Sequence, residues 1–240
     1  MRPLRTSLLA VSAVGLAVAF GGCGEDDESS TKGTTAEGDK AGETPSKPSV
    51  EAPGKCRDVK APSAKPDGGQ EKPAGKLDAS KTYDVVFDTS CGSFTVRLDV
   101  KASPETSASF AALARKGFFD NTQFHRIVPG FVIQGGDPTG TGTGGPGYST
   151  VDPPPADVAY TTGVVAMAKT EAEAAGTSGS QFYVVTGQDA GLPPDYALLG
   201  KVTKGIEVTQ QIGELGDPAS GGSGTPTQPV VIEKATVREG

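Results

Sequence analysis

The residues best suited to chemistry are concentrated in one stretch of this 240-residue chain, Phe124-His125-Arg126-Ile127-Val128-Pro129-Gly130-Phe131-Val132-Ile133-Gln134-Gly135-Gly136-Asp137. Arg126 is its most telling member. A guanidinium stays charged and presents several N–H donors in a fixed fork, which suits a site where a substrate develops a lone pair or negative charge. Phe131 and Gln134 follow on a neighbouring predicted strand, and Gly135-Gly136 allow close backbone approach. An arginine in an alternating strand is ordinarily an outward-facing charge, so the pattern alone leaves both readings open. His125 is the single histidine, which excludes multi-histidine metal sites and makes any histidine-dependent triad rest on that one residue. No metal or other cofactor is expected.

Other motifs fall away on context. Residues 140–145 read G-T-G-T-G-G, a literal G-x-G-x-x-G, but Pro146-Gly147 follows where a dinucleotide site needs a helix N-terminus. Gly179-Ser180 is no nucleophile elbow, because no glycine stands two residues after the serine. The formal net charge is -7, and no basic stripe alternates with aromatics, so nucleic acid is not an expected partner.

The elements that must position Arg126 are short. Tyr83, Val85 and Phe87 alternate with polar positions, then a Thr89–Gly92 turn leads to Phe94, Val96 and Leu98; this is a hairpin. Ser103-Pro104-Glu105 starts a helix with a capping residue, a first-turn proline and an acid, and Gly117 stops it. Strand-like pieces follow at Phe124–Val128, Phe131–Gln134, Val164–Ala168, Phe182–Val185, Ala197–Val202 and Val230–Val237, with a second helix at Ile206–Leu215. The expected fold is mainly β: a closed eight-stranded antiparallel barrel capped by two helices and preceded by a disordered linker.

The N-terminus reads as an address. Arg2 and Arg5 precede an apolar run from Leu8 to Phe20. As a helix that run would measure about 20 Å, too short for a ~30 Å hydrocarbon core, and it fits a secretory h-region. Gly21-Gly22-Cys23 follows and resembles a bacterial lipobox, which would make Cys23 the lipidated first residue of the mature chain. Phe20 departs from the leucine usual there. Ordinary signal cleavage with an incidental cysteine is the alternative. Export leaves Cys56 and Cys91 in an oxidising compartment, where an even pair is expected to form a disulfide rather than two free thiols. Between Thr31 and Gly54 the only apolar residues are Ala36, Ala41, Val50 and Ala52, too few to offset ordering entropy. The expected organisation is a signal peptide at 1–22, a Gly/Pro/Ser/Thr-rich linker at 23–80 and one domain at 81–240. A Cys56–Cys91 bond would pin the second half of the linker to the domain.

The Arg126 block resembles the signature of the cyclophilins. So do Gly142-Thr143-Gly144-Gly145, Gly163–Ala168, Gly179-Ser180-Gln181-Phe182-Tyr183 and Leu199-Gly200-Lys201-Val202, in the family's order and with similar spacings over roughly residues 81 to 238. The resemblance implies a cyclophilin-type β-barrel and peptidyl-prolyl cis/trans isomerase activity. It makes Arg126 the catalytic arginine and Gln134 the residue that holds it and touches substrate. It places Phe131, Val132, Tyr183 and Leu192 in the proline pocket, Ala168 and Lys169 on the backbone stretch that pairs with the peptide, and Gln181 in the groove. Tyr196 sits where the best-known members carry histidine. His125 precedes the arginine as in the family, and a packed strand histidine is its preferred reading among the candidate groove residues. Val132, Tyr183 and Lys169 replace the usual methionine, phenylalanine and asparagine, residues 169–177 are longer than usual, and residues 148–160 match poorly.

The implied protein is a monomeric isomerase, outside the cytoplasm and lipid-anchored to a bacterial membrane through Cys23, acting on proline-containing exported polypeptides. The competing class is a non-catalytic chaperone or adaptor lipoprotein that binds proline segments in the same groove.

Overall fold

A computed structural model of the chain describes residues 55–240; Cys23, the signal segment and the first half of the linker lie outside the described residues. The strands are β1 Tyr83–Thr89, β2 Gly92–Leu98, β3 Thr122–Gln123, β4 Arg126–Val128, β5 Val132–Gly135, β6 Thr150–Val151, β7 Val164–Met167, β8 Thr177–Ser178, β9 Phe182–Val185, β10 Leu198–Lys204 and β11 Val231–Glu239. The helices are α1 Pro104–Arg115 and α2 Ile206–Gly213, with a 3₁₀ stretch at Pro218–Ser223. Ser103 was expected to cap α1, yet its hydroxyl makes no capping bond. The Thr106 amide donates instead to the Asp152 carboxylate at 2.6 Å, so the cap is supplied by a residue far along the chain.

The sheet is not the closed eight-stranded barrel expected from sequence. Nine antiparallel strands form one curled sheet in the order β3-β11-β1-β2-β10-β7-β9-β5-β4, and β6 and β8 make a separate ribbon. The reason lies at Phe124-His125. The two edge strands β3 and β4 flank this dipeptide in the chain, so they succeed one another along the backbone instead of pairing across a ladder. Phe124 is bonded toward Val230 on one side, and beyond the break the Ile127 amide donates to the Gly224 carbonyl at 2.7 Å. The 3₁₀ stretch and its exit thus cover the β4 edge, one of the ordinary ways of protecting an unpaired strand.

Strand periodicity sends alternate residues to two different places. Val85, Phe87, Phe94, Val96, Ile133, Val165, Met167, Phe182 and Val184 enter the main core with α1 and α2. Phe182 sits at its centre, with ring centroids 5.3 Å from Phe87, 5.4 Å from Phe110 and 6.1 Å from both Phe119 and Phe124. The intervening residues Val132, Ala166, Tyr183 and Val185 form a second, smaller cluster on the opposite face, with Phe131, Leu192 and Tyr196 packed at its margin. Register aligns this second face across the strands: Arg126 pairs with Gln134, Gln134 with Tyr183, and Tyr183 with Ala166.

Residues 55–80 contain no helix or strand, as their composition implies, but they are not a free tether. Cys56 is disulfide-bonded to Cys91 at the β1–β2 turn. Lys65 donates its ammonium to the carbonyls of Gly117, Phe118 and Asp120 at 3.1, 2.6 and 3.1 Å, just past the C-terminus of α1. Charge there is favourable because the end of a helix leaves carbonyls unsatisfied. The disulfide and polar bonds to backbone order this strap, with Cys56 and Leu77 packed against the core. Among the described residues, no helix is long and apolar enough to cross a membrane.

Candidate active site

The row Arg126-Gln134-Tyr183-Ala166 opens onto a cleft of about 240 Å³, lined by Arg126, Phe131, Val132, Gln134, Ala168, Lys169, Tyr183, Leu192 and Tyr196. Its apolar wall comes from Phe131, Val132, Tyr183 and Leu192, and its charged end is Arg126. The guanidinium is half-buried. Its Nε–H donates to the Gly222 carbonyl at 3.1 Å, an Nη1 donor reaches Gln134 Oε1 at 3.4 Å, and its carbon lies 5.8 Å from the Phe131 ring centroid. Burial pushes the Arg126 pKa below its ordinary value, opposed by Tyr196. The ordinary value is so high that the group remains a cation at any working pH.

A relay of amides backs the arginine. Gln134 Nε2 donates to Gln181 Oε1 at 3.0 Å, and Gln181 Nε2 donates to the carbonyls of Gly142 and Gly144, each at 3.0 Å. A second hollow of about 450 Å³ adjoins the cleft and shares Gln134, Ala168 and Lys169 with it; Gln181 lines this hollow. The structure therefore gathers Arg126, Phe131, Val132, Gln134, Ala168, Lys169, Tyr183, Leu192 and Tyr196 in one cleft, and Gln181 beside it. His125 lines neither space. It is packed behind the glycine-rich loop, where a Cβ on Gly142 would stand 3.7 Å from its ring.

The model of the family described as "Cyclophilin type peptidyl-prolyl cis-trans isomerase/CLD" matches residues 84–237, a stretch that contains every side chain lining the cleft. The chain belongs to this family. Peptidyl-prolyl cis-trans isomerase-like 1 of Aspergillus oryzae is 40% identical over 160 residues, covering 65% of this chain and 96% of the relative. The protein of the same name from Bos taurus is 38% identical over 140 residues, covering 57% of this chain and 82% of its own length. Among solved structures, a Cryptosporidium parvum cyclophilin-type peptidyl-prolyl cis-trans isomerase superposes with a TM-score of 0.59 at 30% identity, over 65% of this chain and 98% of the other. A second structure of that protein, in the presence of the dipeptide Ala-Pro, superposes with a TM-score of 0.58.

Several residues that shape the site of this cyclophilin were not singled out in the sequence. Gly222 supplies the carbonyl that orients Arg126. Gly224 has φ +66°, and a Cβ there would stand 2.8 Å from both Arg126 Cγ and Val128 Cγ2, so no side chain fits beside the arginine stem. The Tyr160 hydroxyl donates to the Tyr196 carbonyl at 2.6 Å and accepts from its amide at 3.1 Å, which fixes the Tyr196 wall. These contacts are long-range; only the glycine-rich run 221–224 carried a signal.

Lys169 is bound into the 169–177 segment that it opens. Its side chain is only 4% exposed and pairs with Asp195 at 3.3 Å. It donates to the carbonyls of Thr170 and Glu173 at 3.2 and 3.1 Å and lies 5.6 Å from the Tyr196 ring centroid. The lysine thus fastens the 169–177 segment to the rim of the cleft.

His125 gives this cyclophilin a simple acid signature. Both ring nitrogens are buried without a well-formed hydrogen bond. Burial lowers the imidazole pKa, against the field of Asp137, with Arg126 adding to the downward shift and Gln181 opposing it weakly. The folded state therefore binds a proton less readily than the unfolded chain, whose histidine titrates near ~6.5. Stability from this group is fully present above that value and falls as pH drops through it toward the folded pKa. Because His125 is the single histidine, thermal melts should show Tm falling between about pH 7 and 5. His125→Asn should flatten that interval; an equally steep profile in the variant would assign the dependence elsewhere.

Proposed function

We propose that Arg126 is the catalytic residue of this isomerase, that Phe131, Val132, Tyr183 and Leu192 hold the proline ring, and that Gln134 and Gln181 hold the arginine. An X-Pro amide resists rotation with a barrier of about 18–20 kcal/mol, and uncatalysed exchange takes tens of seconds or more. Isomerisation forms and breaks no covalent bond. The site must therefore bind the twisted amide better than either planar isomer. On twisting, the prolyl nitrogen becomes pyramidal and gains a lone pair. A fixed guanidinium beside it donates to that nitrogen and to the proline carbonyl, and the donors are already oriented before the reaction begins. The apolar wall grips the pyrrolidine, so rotation takes place on the preceding side. The observation that carries this reading is the position of Arg126 at one end of an apolar cleft, over Phe131 and tied to Gln134. A protease-coupled assay on a prolyl peptide tests it: the wild type should accelerate cis-to-trans conversion and a Phe131→Ala variant should lose most of that acceleration. A folded Phe131→Ala protein with unchanged turnover would remove the proline pocket from this cleft.

The substrates in this reading are proline-containing exported polypeptides, and the enzyme is held at a bacterial membrane by lipid on Cys23. The support is the order Arg2, Arg5, the apolar Leu8–Phe20 run and Gly21-Gly22-Cys23. Cys23→Ser should move the protein from the membrane to the soluble fraction. Mass spectrometry finding an unmodified N-terminus at another residue would refute the anchor.

A further inference from the structure

The glycine-rich loop at 140–145 is tied along its own length by threonine hydroxyls, Thr139 to Thr141 at 2.7 Å and Thr141 to Thr143 at 2.9 Å, which leave its glycine carbonyls to other partners. Its side chains are threonines, and glycine backbone loses more freedom on ordering than any other. Yet the Gly142 and Gly144 carbonyls must stay in place to receive Gln181. Two carboxylates bracket them. From inside, buried Asp137 accepts the Gly142 amide at 2.5 Å, along with the Thr139 amide at 2.7 Å and hydroxyl at 2.8 Å. From outside, Asp67 on the strap accepts the Gly145 amide at 2.8 Å. The strap is itself well held at this point. Backbone bonds run from Lys65 to Pro138 at 2.8 Å, from Gly68 to Gly145 at 2.9 Å and from Gln70 to Pro146 at 3.0 Å. Lys65 clamps the same segment to the end of α1. The whole strap lies outside residues 84–237, the stretch that matches the family.

We propose that Asp67 is a positioning residue for the isomerisation: by fixing Gly145 it holds the glycine loop in register, and through Gln181 and Gln134 it sets the Arg126 guanidinium. This rests on the reading of Arg126 as the catalytic residue. The path is a continuous series of hydrogen bonds, Asp67 to Gly145, then the Gly142 and Gly144 carbonyls to Gln181, Gln181 to Gln134, and Gln134 to Arg126. A catalytic group displaced by an ångström can lose two orders of magnitude in rate, and three intervening bonds soften that effect. Loss of the Asp67 acceptor should therefore cost about fivefold in kcat/KM, mainly through kcat. The acceptor oxygen, rather than the charge, is what the loop needs.

The test compares full-length wild type, Asp67→Ala, Asp67→Asn and Arg126→Ala, with kcat and KM measured on one prolyl peptide and side-chain amide NMR signals of Gln134 and Gln181 recorded without substrate. The inference predicts that Asp67→Ala lowers kcat about fivefold and shifts both glutamine signals, while Asp67→Asn, which keeps an acceptor oxygen, stays within about twofold of wild type. Wild-type turnover and unshifted signals in Asp67→Ala, with Arg126→Ala inactive, would overturn the role of Asp67 and leave the arginine reading standing. Equal losses in the alanine and asparagine variants would also overturn it, because the charge and not the acceptor would then be at work. An active Arg126→Ala protein would instead remove the arginine reading on which the inference rests.

Discussion

Alanine at position 126 should leave a folded protein whose kcat/KM on prolyl peptides is lower by at least about tenfold, equivalent to ~1.4 kcal/mol of transition-state stabilisation. Folding should survive because Arg126 itself lies outside the core; Ile127, its neighbour on β4, carries the burial. The side chain's internal bonds go to Gly222 and Gln134, and both partners border open space at the cleft or its edge. Peptide binding should fall less than turnover. The apolar wall that grips proline stays intact, and the lost donors matter most when the amide nitrogen has gained its lone pair. Arg126→Lys should restore little, since an ammonium offers a point charge where the site has a fork held from both sides. Steady-state kinetics with a parallel binding titration separate the two effects. Wild-type kcat/KM in folded Arg126→Ala would sink the assignment.

Breaking the Cys56–Cys91 bond should lower stability by about 3–4 kcal/mol, as expected for a cross-link closing a loop of this length. The two cysteines are separated by 35 positions. For a domain of this size the loss corresponds to a fall in Tm of about 6–16 °C. The bond contributes by limiting the unfolded chain, and it also keeps the start of the strap beside the β1–β2 turn, where the Arg57 amide donates to the Ser90 carbonyl at 2.8 Å. Melting curves of oxidised and reduced wild type isolate the bond from the sulfur atoms. A Cys56→Ala/Cys91→Ala protein should match the reduced form apart from a small cost for the lost volume at buried Cys91. Identical Tm values for oxidised and reduced protein would show that the strap is held by its polar bonds alone.

What sequence could reveal depended on the length over which a pattern runs. The β1–β2 hairpin and α1 were legible because enough residues of period two or 3.6 expose the pattern, whereas β9 is buried at all four positions and shows only as a short apolar run. Strands β3, β6 and β8 have two residues each and show no period at all. The closed barrel was the wrong inference because closure is decided at one dipeptide, Phe124-His125, where edge strands follow one another along the chain. The strap was legible in part: the Cys56–Cys91 pair implied that the second half of the linker is pinned to the domain, and the disulfide is present. Its composition otherwise predicts disorder, and the Lys65 ammonium reaching three carbonyls leaves no trace in the sequence. The cleft side chains came from motif resemblance, while their common face came from register. Gly222, Gly224, Tyr160 and Asp67 act across long separations, so only coordinates bring them to the site.

Exchange NMR on a proline-containing peptide with catalytic amounts of the protein tests the central claim most directly, because it observes interconversion without a coupled protease. Wild type should produce cross-peaks between the cis and trans signals of the prolyl bond at mixing times where the free peptide shows none, and Arg126→Ala should weaken them at least about tenfold while still binding the peptide. A wild-type protein that shifts and broadens the peptide signals through binding, yet gives no exchange cross-peaks, would contradict the account and make the cleft a binding site for proline segments alone.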